Sequence, residues 1–435
     1  MKANVKKFYI QLPEAVETII NKIYEAGHTA YVVGGCVRDT LRQMKPHDWD
    51  ICTSMKPEET KALFSDDYKV TSHGENFGTI GVVFDGVMYE VTTYRMDGKY
   101  SNNRQPDDVV FTDDINLDLV RRDFTINAMA YSPVDGFVDP YGGKRDIKKK
   151  LIRCVGNPEE RFEEDALRII RAVRFANNLD FWIEPSTYET LCAKRDLLKN
   201  IAVERIHDEL VKTLNGFITK KDELLYVLEP IIPEFKDGGY SYLRINEGLK
   251  RISRDKLMLH SKLAILFNFK DPQKTKAVLK RLKFSNKDIK AVDWIVNSVQ
   301  TIWDYNANPN PKYYVRQLLS ETDSQEMVYQ LATSIYCMSQ VETDAALFMA
   351  FAGCIVEHLL GEMNNPHTID ALAVSGEELK EKGFEGEQIG NALKYLLNCV
   401  MYDDTPNEKD VLLELIDTVV ESVGIEAFDT VTQVV

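Results

Sequence analysis

Two spacings of apolar positions alternate along the first 150 residues, and each predicts a different element. In "LPEAVETIINKIYEAG" (12–27), apolar residues recur every three or four positions between Pro13 and Gly27, which predicts an amphipathic helix. "TAYVVGG" (29–35) is a short apolar run that enters a glycine pair, so it predicts a strand and a turn. "VRDTLRQM" predicts the next helix, "DWDICTS" a second strand, and "KPEETKALF" a helix opened by Pro57.

A hairpin signal and a polar stretch complete this region. "TIGVVFDGVMYEVTTYR" (79–95) holds two β-rich runs joined by Asp85-Gly86, a dipeptide typical of two-residue hairpin turns. "MDGKYSNNRQPDDV" (96–109) is polar without an apolar period and predicts a loop. Beyond residue 150 helical spacing dominates, as in "NPEERFEEDALRIIRAVRFANNL" (157–179). The pattern predicts an α+β fold, with a mixed β-sheet flanked by helices at the N-terminus and an all-helical remainder. Candidate breaks lie at 135–146, 235–241, 306–313 and 364–367.

Composition narrows the class of protein. The 435 residues contain no run of about 18 apolar positions, so no transmembrane helix is expected. The net charge of −15 argues against a surface coated for nucleic acid but leaves room for local basic patches. The seven cysteines are scattered and form no C-x-x-C, which predicts reduced thiols in a cytoplasmic protein.

Two acidic residues lie one position apart in "HDWDI" (47–51). In a strand, residues i and i+2 point to the same side, so Asp48 and Asp50 share a face and Trp49 points away from it. Two carboxylates on one face repel, and Mg²⁺, which prefers oxygen ligands, would compensate them. Two such ions about 4 Å apart are a standard device for in-line phosphoryl displacement. The alternative is an exposed edge strand with solvated acids, because an isolated D-x-D is weak evidence.

The residues just upstream of this pair suit a phosphate. Gly34 and Gly35 stand between a strand and a helix, where glycines let backbone N–H groups approach an anion closely. A plain tight turn is the alternative. Arg38 lies in the first helical turn, where a positive side chain is unfavourable, so it should have an anionic partner. That partner is either Asp39 or a triphosphate.

Together these segments resemble a known family. "GGCVRDTL…HDWDI" is similar to the signature of the DNA-polymerase-β-type nucleotidyltransferases, specifically the class II tRNA nucleotidyltransferase and bacterial poly(A) polymerase family. The resemblance implies that Asp48 and Asp50 bind catalytic Mg²⁺ ions and that the paired glycines hold the triphosphate. It also implies a third carboxylate from a neighbouring strand, for which Glu90 is the candidate. A structural role for that strand residue is the alternative.

The segment "RFEEDALRIIRAVRF" (161–175) could read a nucleobase. Asp165 and Arg168 are predicted to share a helix face with Arg161. A carboxylate accepts from an exocyclic amine and a guanidinium donates to a ring nitrogen or carbonyl, so this pair fits C and A and rejects U and G. An ion-paired solvated face is the alternative. The resemblance implies the reading role for the "EDxxR" residues, here Glu164, Asp165 and Arg168. The further nucleotide-binding residues predicted are Arg122, Asp123, Asn127, Arg171 and Arg174.

Two more segments match the family. "RRDFTINAMAY" (121–131) is predicted to start a helix, and the resemblance implies that it contacts the incoming ribose. The alternative is that Asp123 merely lies near a helix N-terminus, where the dipole favours it. In "VERIHDEL" (203–210), Arg205 and Glu209 are spaced i, i+4 and are predicted to form a structural pair behind the site.

RNA contacts are predicted in a basic segment. "GGKRDIKKKLIR" (142–153) carries six Lys or Arg residues in its last ten positions, a local excess suited to phosphate. A solvated linker between domains is the alternative. The predicted RNA-binding residues are Lys144, Arg145, Lys148, Lys149 and Lys150. The predicted division is a catalytic head (1–150), a base-recognising neck (151–215), a helical body (216–365) and an RNA-binding tail (366–435).

The resemblance implies addition of C, C and A to the tRNA 3′ end from CTP and ATP. Addition of A alone and poly(A) addition are the alternatives within the family. Enzymes of the family that stop after CC have a shortened loop here, so the full loop at 96–109 favours CCA or A addition. Its predicted lid residues are Arg95, Asp97, Tyr100 and Arg104. An arginine-rich run typical of poly(A) polymerases is missing after the second strand.

Two alternative functions from other classes of protein stay open. A metal-dependent HD phosphohydrolase would have to use His260, which lacks an adjacent Asp. A catalytically inactive tRNA-binding protein would not need Asp48 and Asp50. No DNA or membrane partner is expected, and the oligomeric state is left open.

Overall fold

The computed structural model describes most of the chain, in two compact units. The described residues are 9–72, 74–98, 109–216, 218–236, 249, 259–269, 271–304, 316, 318–322, 324–339, 368–402 and 405–425. One unit comprises Met1–Asp237 and Arg281–Lys283, and the other comprises Gly238–Lys280 and Phe284–Val435. The division after residue 237 falls inside the predicted break at 235–241. The four-part division into head, neck, body and tail stays a prediction.

A seven-stranded mixed sheet forms the centre of the first unit, as predicted. Its strands are β1 (Ala30–Val33), β2 (Ile51–Thr53), β3 (Lys69–Thr71), β4 (Thr79–Phe84), β5 (Val87–Thr93), β8 (Ala130–Ser132) and β9 (Gly136–Val138). Their order is β3-β4-β5-β2-β1-β8-β9. β2 and β5 run parallel, and the other neighbours are antiparallel. Two separate ribbons pair β6 (Arg95–Asp97) with β7 (Val109–Phe111) and β10 (Leu151–Ile152) with β11 (Trp182–Ile183).

Ten α-helices accompany these strands within the described part of the first unit. They are α1 (Glu14–Glu25), α2 (Gly35–Leu41), α3 (Pro57–Ser65), α4 (Ile115–Val120), α5 (Gly143–Lys149), α6 (Pro158–Glu164), α7 (Leu167–Leu179), α8 (Pro185–Lys194), α9 (Val203–Leu214) and α10 (Lys221–Leu228). Short 3₁₀ turns occur at Glu75–Phe77, Thr125–Asn127, Arg195–Asn200 and Pro233–Lys236. The helices predicted at 12–27, 37–44 and 56–64 are confirmed as α1, α2 and α3.

Both faces of the central strands are buried, which fixes the strand ends that carry the site. On one face, Ile19 and Ile23 of α1 pack in the same cluster as Val32, Ile51 and Val91 of the sheet. On the other face, a second cluster joins the sheet to α4. Burial of each such side chain contributes about 1.5–3 kcal/mol to folding. The strands are therefore held by hydrophobic packing on two sides.

The hairpin predicted at Asp85-Gly86 is confirmed. Asp85 and Gly86 both have positive φ, 49° and 80°, the conformation that a two-residue hairpin turn of the primed type requires. The pairing starts at Phe84↔Val87 and places Gly81 opposite Glu90. β5 also pairs with β2 in the register Ile51↔Val91.

The regular structure of the second unit, within its described residues, is helical throughout. Its helices are α11 (Leu259–Leu266), α12 (Pro272–Arg281, whose last residue belongs to the first unit), α13 (Asn286–Asp304), α14 (Gln325–Ser339), α15 (Gly376–Glu381), α16 (Glu387–Tyr402) and α17 (Lys409–Val423). A core cluster that includes Leu379, Phe384, Leu396 and Ile416 joins the last three helices. Among the residues described in either unit, no helix combines the length and apolar character needed to cross a bilayer.

Two of the predictions were wrong around the polar segments. Met96 and Asp97 belong to β6 and Val109 to β7, so the predicted loop is shorter at both ends. Residues 99–108, with Tyr100 and Arg104, lie outside the described part. The ribbon was missed because its first strand has no apolar alternation and is stabilised by a partner distant in sequence. The predicted break at 135–146 instead contains β9 and the start of α5.

The predicted helices at 121–131 and 161–175 are also corrected. α4 ends at Val120, and Asp123 lies in an irregular stretch before the 3₁₀ turn Thr125–Asn127. The second helix is divided at Asp165, whose backbone is extended (φ −139°, ψ 100°) between α6 and α7. The Asp165 side chain accepts a hydrogen bond from the Leu167 backbone N–H at 3.1 Å, and this local bond competes with helix continuation.

Candidate active site

Two cavities of the first unit meet at Asp50. The first, about 330 Å³, is lined by Gly34, Gly35, Arg38, Asp50, Arg121, Arg122, Asp123, Asn127, Asp165, Arg168, Arg171 and Phe175. The second, about 430 Å³, is lined by His47, Asp48, Trp49, Asp50, Val87, Met88, Tyr89 and Glu90. The fold therefore brings nine of the ten predicted nucleotide-binding residues to one cavity and the three predicted catalytic carboxylates to its neighbour. Arg174 is the exception, because its guanidinium pairs with Glu209 at 2.6 Å.

The three carboxylates come from two adjacent strands. Asp48 and Asp50 precede β2 rather than lying within it, and the Asp50 carbonyl accepts the Val33 N–H at 3.0 Å. The register Ile51↔Val91, continued by one residue, places Asp50 beside Glu90. Asp48, Asp50 and Glu90 are all exposed. Trp49 is partly buried and packs on the core cluster under the sheet, as the alternation predicted.

Desolvation, and after it the neighbouring negative charges, raise the pKa of two carboxyls in this acidic group. Desolvation raises the pKa of Asp50, the Arg122 guanidinium opposes the rise, and Asp48 adds to it. Desolvation also raises the pKa of Glu90, followed by the charges of Asp50 and Asp48. Both shifts mean that the ionised forms are not fully compensated by the protein itself. A cation placed here would supply it.

These residues fit a divalent cation in their chemistry, although they do not enclose one. Carboxylate oxygens are the ligands that hard divalent ions prefer. Among the described residues, however, no three His, Cys, Asp or Glu side chains are grouped closely enough to hold an ion by themselves. Mg²⁺ usually takes one or two carboxylates and completes its shell with water and substrate phosphates. An open acidic edge beside a second cavity agrees with that mode of binding.

The glycine pair forms a turn that two arginines approach. Gly34 has φ 80° and ψ −124°, a conformation that favours glycine. A Cβ on Gly34 would lie 3.3 Å from Nη1 of Arg122, and one on Gly35 would lie 3.7 Å from Nη2 of Arg38. The Gly34 N–H donates to the Met129 carbonyl at 3.2 Å, so this amide is already used within the fold. Guanidinium groups thus border the turn where the resemblance implies a phosphate.

Arg38 begins a chain of polar contacts across the first cavity. Its Nε and Nη2 donate to the two carboxylate oxygens of Asp39 at 2.9 and 2.8 Å, so Asp39 is the anionic partner in this structure. Its Nη1 donates to Oδ1 of Asn127 at 2.8 Å. Asn127 in turn donates to Asp123 at 3.1 Å, and Arg171 donates to Oδ2 of Asp123 at 3.0 and 2.6 Å.

Asp123 is buried and charged at the centre of this chain. Burial by itself would raise the pKa of Asp123, but the Arg171 guanidinium and the Asn127 amide outweigh it and lower the pKa to about 2. The carboxylate is therefore ionised throughout the physiological pH range. Its Oδ1 also accepts the Phe124 N–H at 2.8 Å. An ionised acceptor of this kind can hold the hydroxyl groups of a sugar.

The predicted base-reading residues lie at the junction of α6 and α7. Asp165 accepts two hydrogen bonds from Arg205, Nη1 to Oδ1 at 3.2 Å and Nη2 to Oδ2 at 2.8 Å. Arg168 donates through Nη1 to Glu164 at 2.6 Å and through Nη2 to the Arg121 carbonyl at 2.7 Å. Both side chains line the first cavity although they do not share one continuous helix. The break in the helix orients them.

The predicted pairing of Arg205 with Glu209 was wrong. Arg205 pairs with Asp165, while Glu209, which is almost fully buried, pairs with Arg171 at 3.4 Å and Arg174 at 2.6 Å. Arg205 of α9 therefore positions Asp165, and Glu209 of α9 positions Arg171 and Arg174. Both residues brace the neighbouring helices, as predicted, but they do so through these partners and not through each other.

Sequence reasoning missed Phe175 and Asp118. The ring of Phe175 lies 5.3 Å from the Arg38 guanidinium carbon, 5.3 Å from that of Arg171 and 4.1 Å from that of Arg174. An aromatic residue four and one positions after two arginines was the available signal. Asp118 is completely buried beneath the cavity wall.

The predicted RNA-binding residues lie outside both cavities. Lys144, Arg145, Lys148, Lys149 and Lys150 are all exposed on α5 or at its C-terminal end. Buried Asp146 of the same helix accepts from the Thr125 hydroxyl at 2.8 Å. The segment is therefore part of the folded unit, and the alternative of a solvated linker is wrong.

The phosphohydrolase alternative gains no support. His260 does contact a carboxylate, with Nε2 2.9 Å from Oδ1 of Asp288. No group of metal-binding side chains surrounds this pair within the part of the chain that is described.

Comparison with known proteins agrees with the geometry. The family model described as the Poly A polymerase head domain matches residues 30–153, and the one described as a probable RNA and SrmB-binding site of polymerase A matches residues 180–217. The CCA-adding enzyme of Levilactobacillus brevis is 35% identical over 410 residues, covering 92% of this chain and 98% of the relative. That of Limosilactobacillus fermentum is 34% identical over 426 residues, covering 92% and 96%. The crystal structure of the Bacillus stearothermophilus CCA-adding enzyme in complex with CTP is similar with a TM-score of 0.68 and 28% identity, covering 95% of this chain and 100% of that one.

Proposed function

The chain belongs to the family of CCA-adding enzymes, which are nucleotidyltransferases, and we propose that its two cavities divide the reaction between nucleotide and RNA. The first cavity receives CTP or ATP, and the second receives the 3′ end of a tRNA that lacks C, C and A. The observation that carries this assignment is that Asp50 lines both cavities. A carboxylate shared by two adjoining sites is where the hydroxyl of one substrate and the α-phosphate of the other would meet.

In the nucleotide cavity, charge and hydrogen-bonding groups suit the three parts of a nucleoside triphosphate. Gly34, Gly35 and Arg38 border the place proposed for the triphosphate. Asp123 and Asn127 are proposed to accept from and donate to the ribose hydroxyls. This contact would favour ribonucleotides, since a deoxyribose lacks one of the hydroxyls.

Asp165 and Arg168 are proposed to read the base at the far end of the same cavity. The Asp165 carboxylate accepts from the exocyclic amine of cytosine or adenine, and Arg168 donates to the adjacent ring nitrogen. Uracil and guanine reverse both hydrogen bonds. Because Arg168 donates to the Glu164 carboxylate and to the carbonyls of Arg161 and Arg121, a bound base has to replace one of these contacts.

The family uses divalent metal ions, and we propose Mg²⁺ for this chain, held by Asp48, Asp50 and Glu90. When bound, the ion supplies charge neutralisation and lowers the pKa of the attacking hydroxyl.

The exposed apolar side chains of Val87 and Met88, in the wall of the second cavity, are proposed to contact the terminal nucleoside of the RNA. The 3′ oxygen then attacks the α-phosphate in line and pyrophosphate leaves.

Further RNA contacts are proposed on α5, through Lys144, Arg145, Lys148, Lys149 and Lys150, whose exposure makes them accessible to phosphate. We also propose that the last 70 residues, 366–435, form a tail that contacts RNA. The rest of the chain is proposed to divide into the predicted head, neck and body. The cytoplasm is the proposed compartment. Cys36, Cys52, Cys154 and Cys192 carry free thiols, which agrees with a reducing environment.

The test uses the purified protein with Mg²⁺ and three tRNAs that end before CCA, after C and after CC. Each receives CTP, ATP or both, and the 3′ ends are sequenced. Addition of CCA to the shortest tRNA without further growth is the expected result. A single A added only to tRNA ending in CC would identify an A-adding enzyme, and long A tails a poly(A) polymerase. No incorporation would point to an inactive tRNA-binding protein.

A further inference from the structure

A buried carboxylate behind the nucleotide cavity holds two of the arginines that line it. Asp118 of α4 has no exposed surface. Its Oδ1 accepts from Nε and Nη2 of Arg121 at 3.0 and 2.7 Å, and its Oδ2 accepts from Nε and Nη2 of Arg122 at 3.3 and 3.0 Å. Each oxygen thus accepts a side-on pair of N–H groups from one guanidinium, a specific and strong arrangement.

The pairing fixes the direction in which Arg122 faces the cavity. Because Nε and Nη2 are bound to Asp118, the remaining nitrogen, Nη1, is directed to the other side. It lies 3.3 Å from where a Cβ on Gly34 would stand. Arg122 and Asp50 also line the same cavity. Arg122 therefore stands between a buried acid and the catalytic edge.

Two acids compete for this one guanidinium. Asp118 holds it from behind, while Asp50 attracts it toward the place proposed for the metal ion. If Asp118 were neutral, the attraction of Asp50 would be unopposed, and rotation of Arg122 toward Asp50 would withdraw Nη1 from the Gly34 turn. The charge of Asp118 also offsets one of the two arginine charges, which reduces the repulsion between the two partly buried guanidinium groups.

We propose that Asp118 is a positioning residue for the triphosphate: it holds Arg122 so that Nη1 faces the β- and γ-phosphates at the Gly34 turn. The assignment rests on the proposed function, because it takes the nucleotide to occupy the first cavity. Asp118 contacts no substrate and acts through Arg122. Its loss should therefore weaken binding of the phosphate groups more than it slows the chemical step.

The experiment compares Asp118→Asn, Arg122→Gln and the double variant with the wild type. The readouts are KM and kcat for CTP and ATP, the inhibition constant of inorganic pyrophosphate, and the melting temperature. Asp118→Asn should raise KM and the pyrophosphate inhibition constant by about ten-fold or more, with a smaller change in kcat. In the Arg122→Gln background the same change should add less than about two-fold, since the residue through which Asp118 acts is gone.

Asp146→Asn is the matched control. Asp146 is likewise a fully buried aspartate that pairs with an arginine, here Arg153 at 3.1 Å, and it lines neither cavity. It should lower the melting temperature and leave KM and the pyrophosphate inhibition constant unchanged. If Asp118→Asn does not fold, Asp118→Glu keeps the charge and displaces the guanidinium by one methylene, and it should raise both constants in the same direction.

The outcomes distinguish failure of the proposed function from failure of the positioning role of Asp118. Wild-type protein that does not incorporate CTP or ATP would overturn the proposed function itself. Active wild type with unchanged KM and pyrophosphate inhibition in Asp118→Asn would overturn the positioning role alone. Equal losses from Asp118→Asn with and without Arg122 would also overturn it, because the effect would then be a general loss of structure.

Discussion

Replacing Asp165 by Asn should change which bases the protein accepts. Oδ1 of Asp165 already accepts from Arg205 and from the Leu167 N–H, whereas Oδ2 accepts from Arg205 alone. Oδ2 is therefore the oxygen with capacity left for a nucleobase amine. In Asp165→Asn the amide oxygen should keep the two donors at the Oδ1 position, and the NH₂ group should replace Oδ2. A donor would then meet the base where an acceptor stood.

The size of the effect follows from the bond that is lost. A hydrogen bond to a charged group contributes about 1.5–3 kcal/mol. Its loss against cytosine or adenine corresponds to about 10- to 150-fold in the ratio of kcat/KM for CTP over UTP. Because the new NH₂ can donate to the O4 carbonyl of uracil, part of the change should appear as a gain with UTP.

The assay is incorporation by single-nucleotide extension of tRNA, with CTP, ATP, UTP and GTP each supplied alone. Asp208→Asn is the control, since Asp208 is exposed on α9 and lines neither cavity. Asp208→Asn should discriminate among the four nucleotides as the wild type does. A folded Asp165→Asn protein that rejects UTP and GTP as strictly as the wild type would refute the base-reading role.

Three further outcomes can be measured. Asp48→Ala should abolish nucleotide transfer while tRNA binding and the melting temperature stay near wild type, and loss of folding would contradict the assignment of Asp48 to metal binding. Gly34→Ala should destabilise the protein by about 1–2 kcal/mol, because φ is 80° there, and should raise the KM for CTP, because Nη1 of Arg122 must move; an unchanged KM would place the triphosphate elsewhere. Asp123→Asn should lower the free energy of unfolding at pH 7 by about 2 kcal/mol, since the folded pKa of about 2 lies below the ordinary 3.8. Ionised Asp123 stabilises the fold above about pH 4, and this stabilisation is lost as the pH falls toward 2. The difference in free energy of unfolding between the wild type and Asp123→Asn, measured by urea denaturation, should therefore become smaller over that range. A difference that stays constant with pH would contradict the assigned pKa shift of Asp123.

Local signals in the sequence were sufficient for the elements that form by short-range rules. The α1 periodicity, the glycine turn before α2 and the Asp85-Gly86 hairpin were all confirmed. These features need only neighbouring residues, because helical spacing and positive φ are local properties. The α+β fold and most of the residues that line the first cavity followed from the same segments together with the family resemblance.

The sequence was a poor guide wherever a distant partner decides the conformation. The break at Asp165 depends on a side-chain bond to the next turn and on Arg205, which is 40 residues away. β6 exists because β7 pairs with it across residues that carry no strand pattern. Asp118 was missed for a different reason: its partners Arg121 and Arg122 are close in sequence, but the sequence does not show that this acid is buried.

Chemistry and packing are interleaved in the single strand β5. Glu90 faces the acidic cavity, and Val91, the next residue, is buried against Ile51 in the core. A slip of one residue in this pairing would exchange the two faces, so the hydrophobic core sets the alignment of Glu90 with Asp50. The relative position of Glu90 and Asp50 is therefore set by buried side chains that do not contact the substrate. Variation at positions such as Val91 can therefore alter turnover while every polar residue of the site is unchanged.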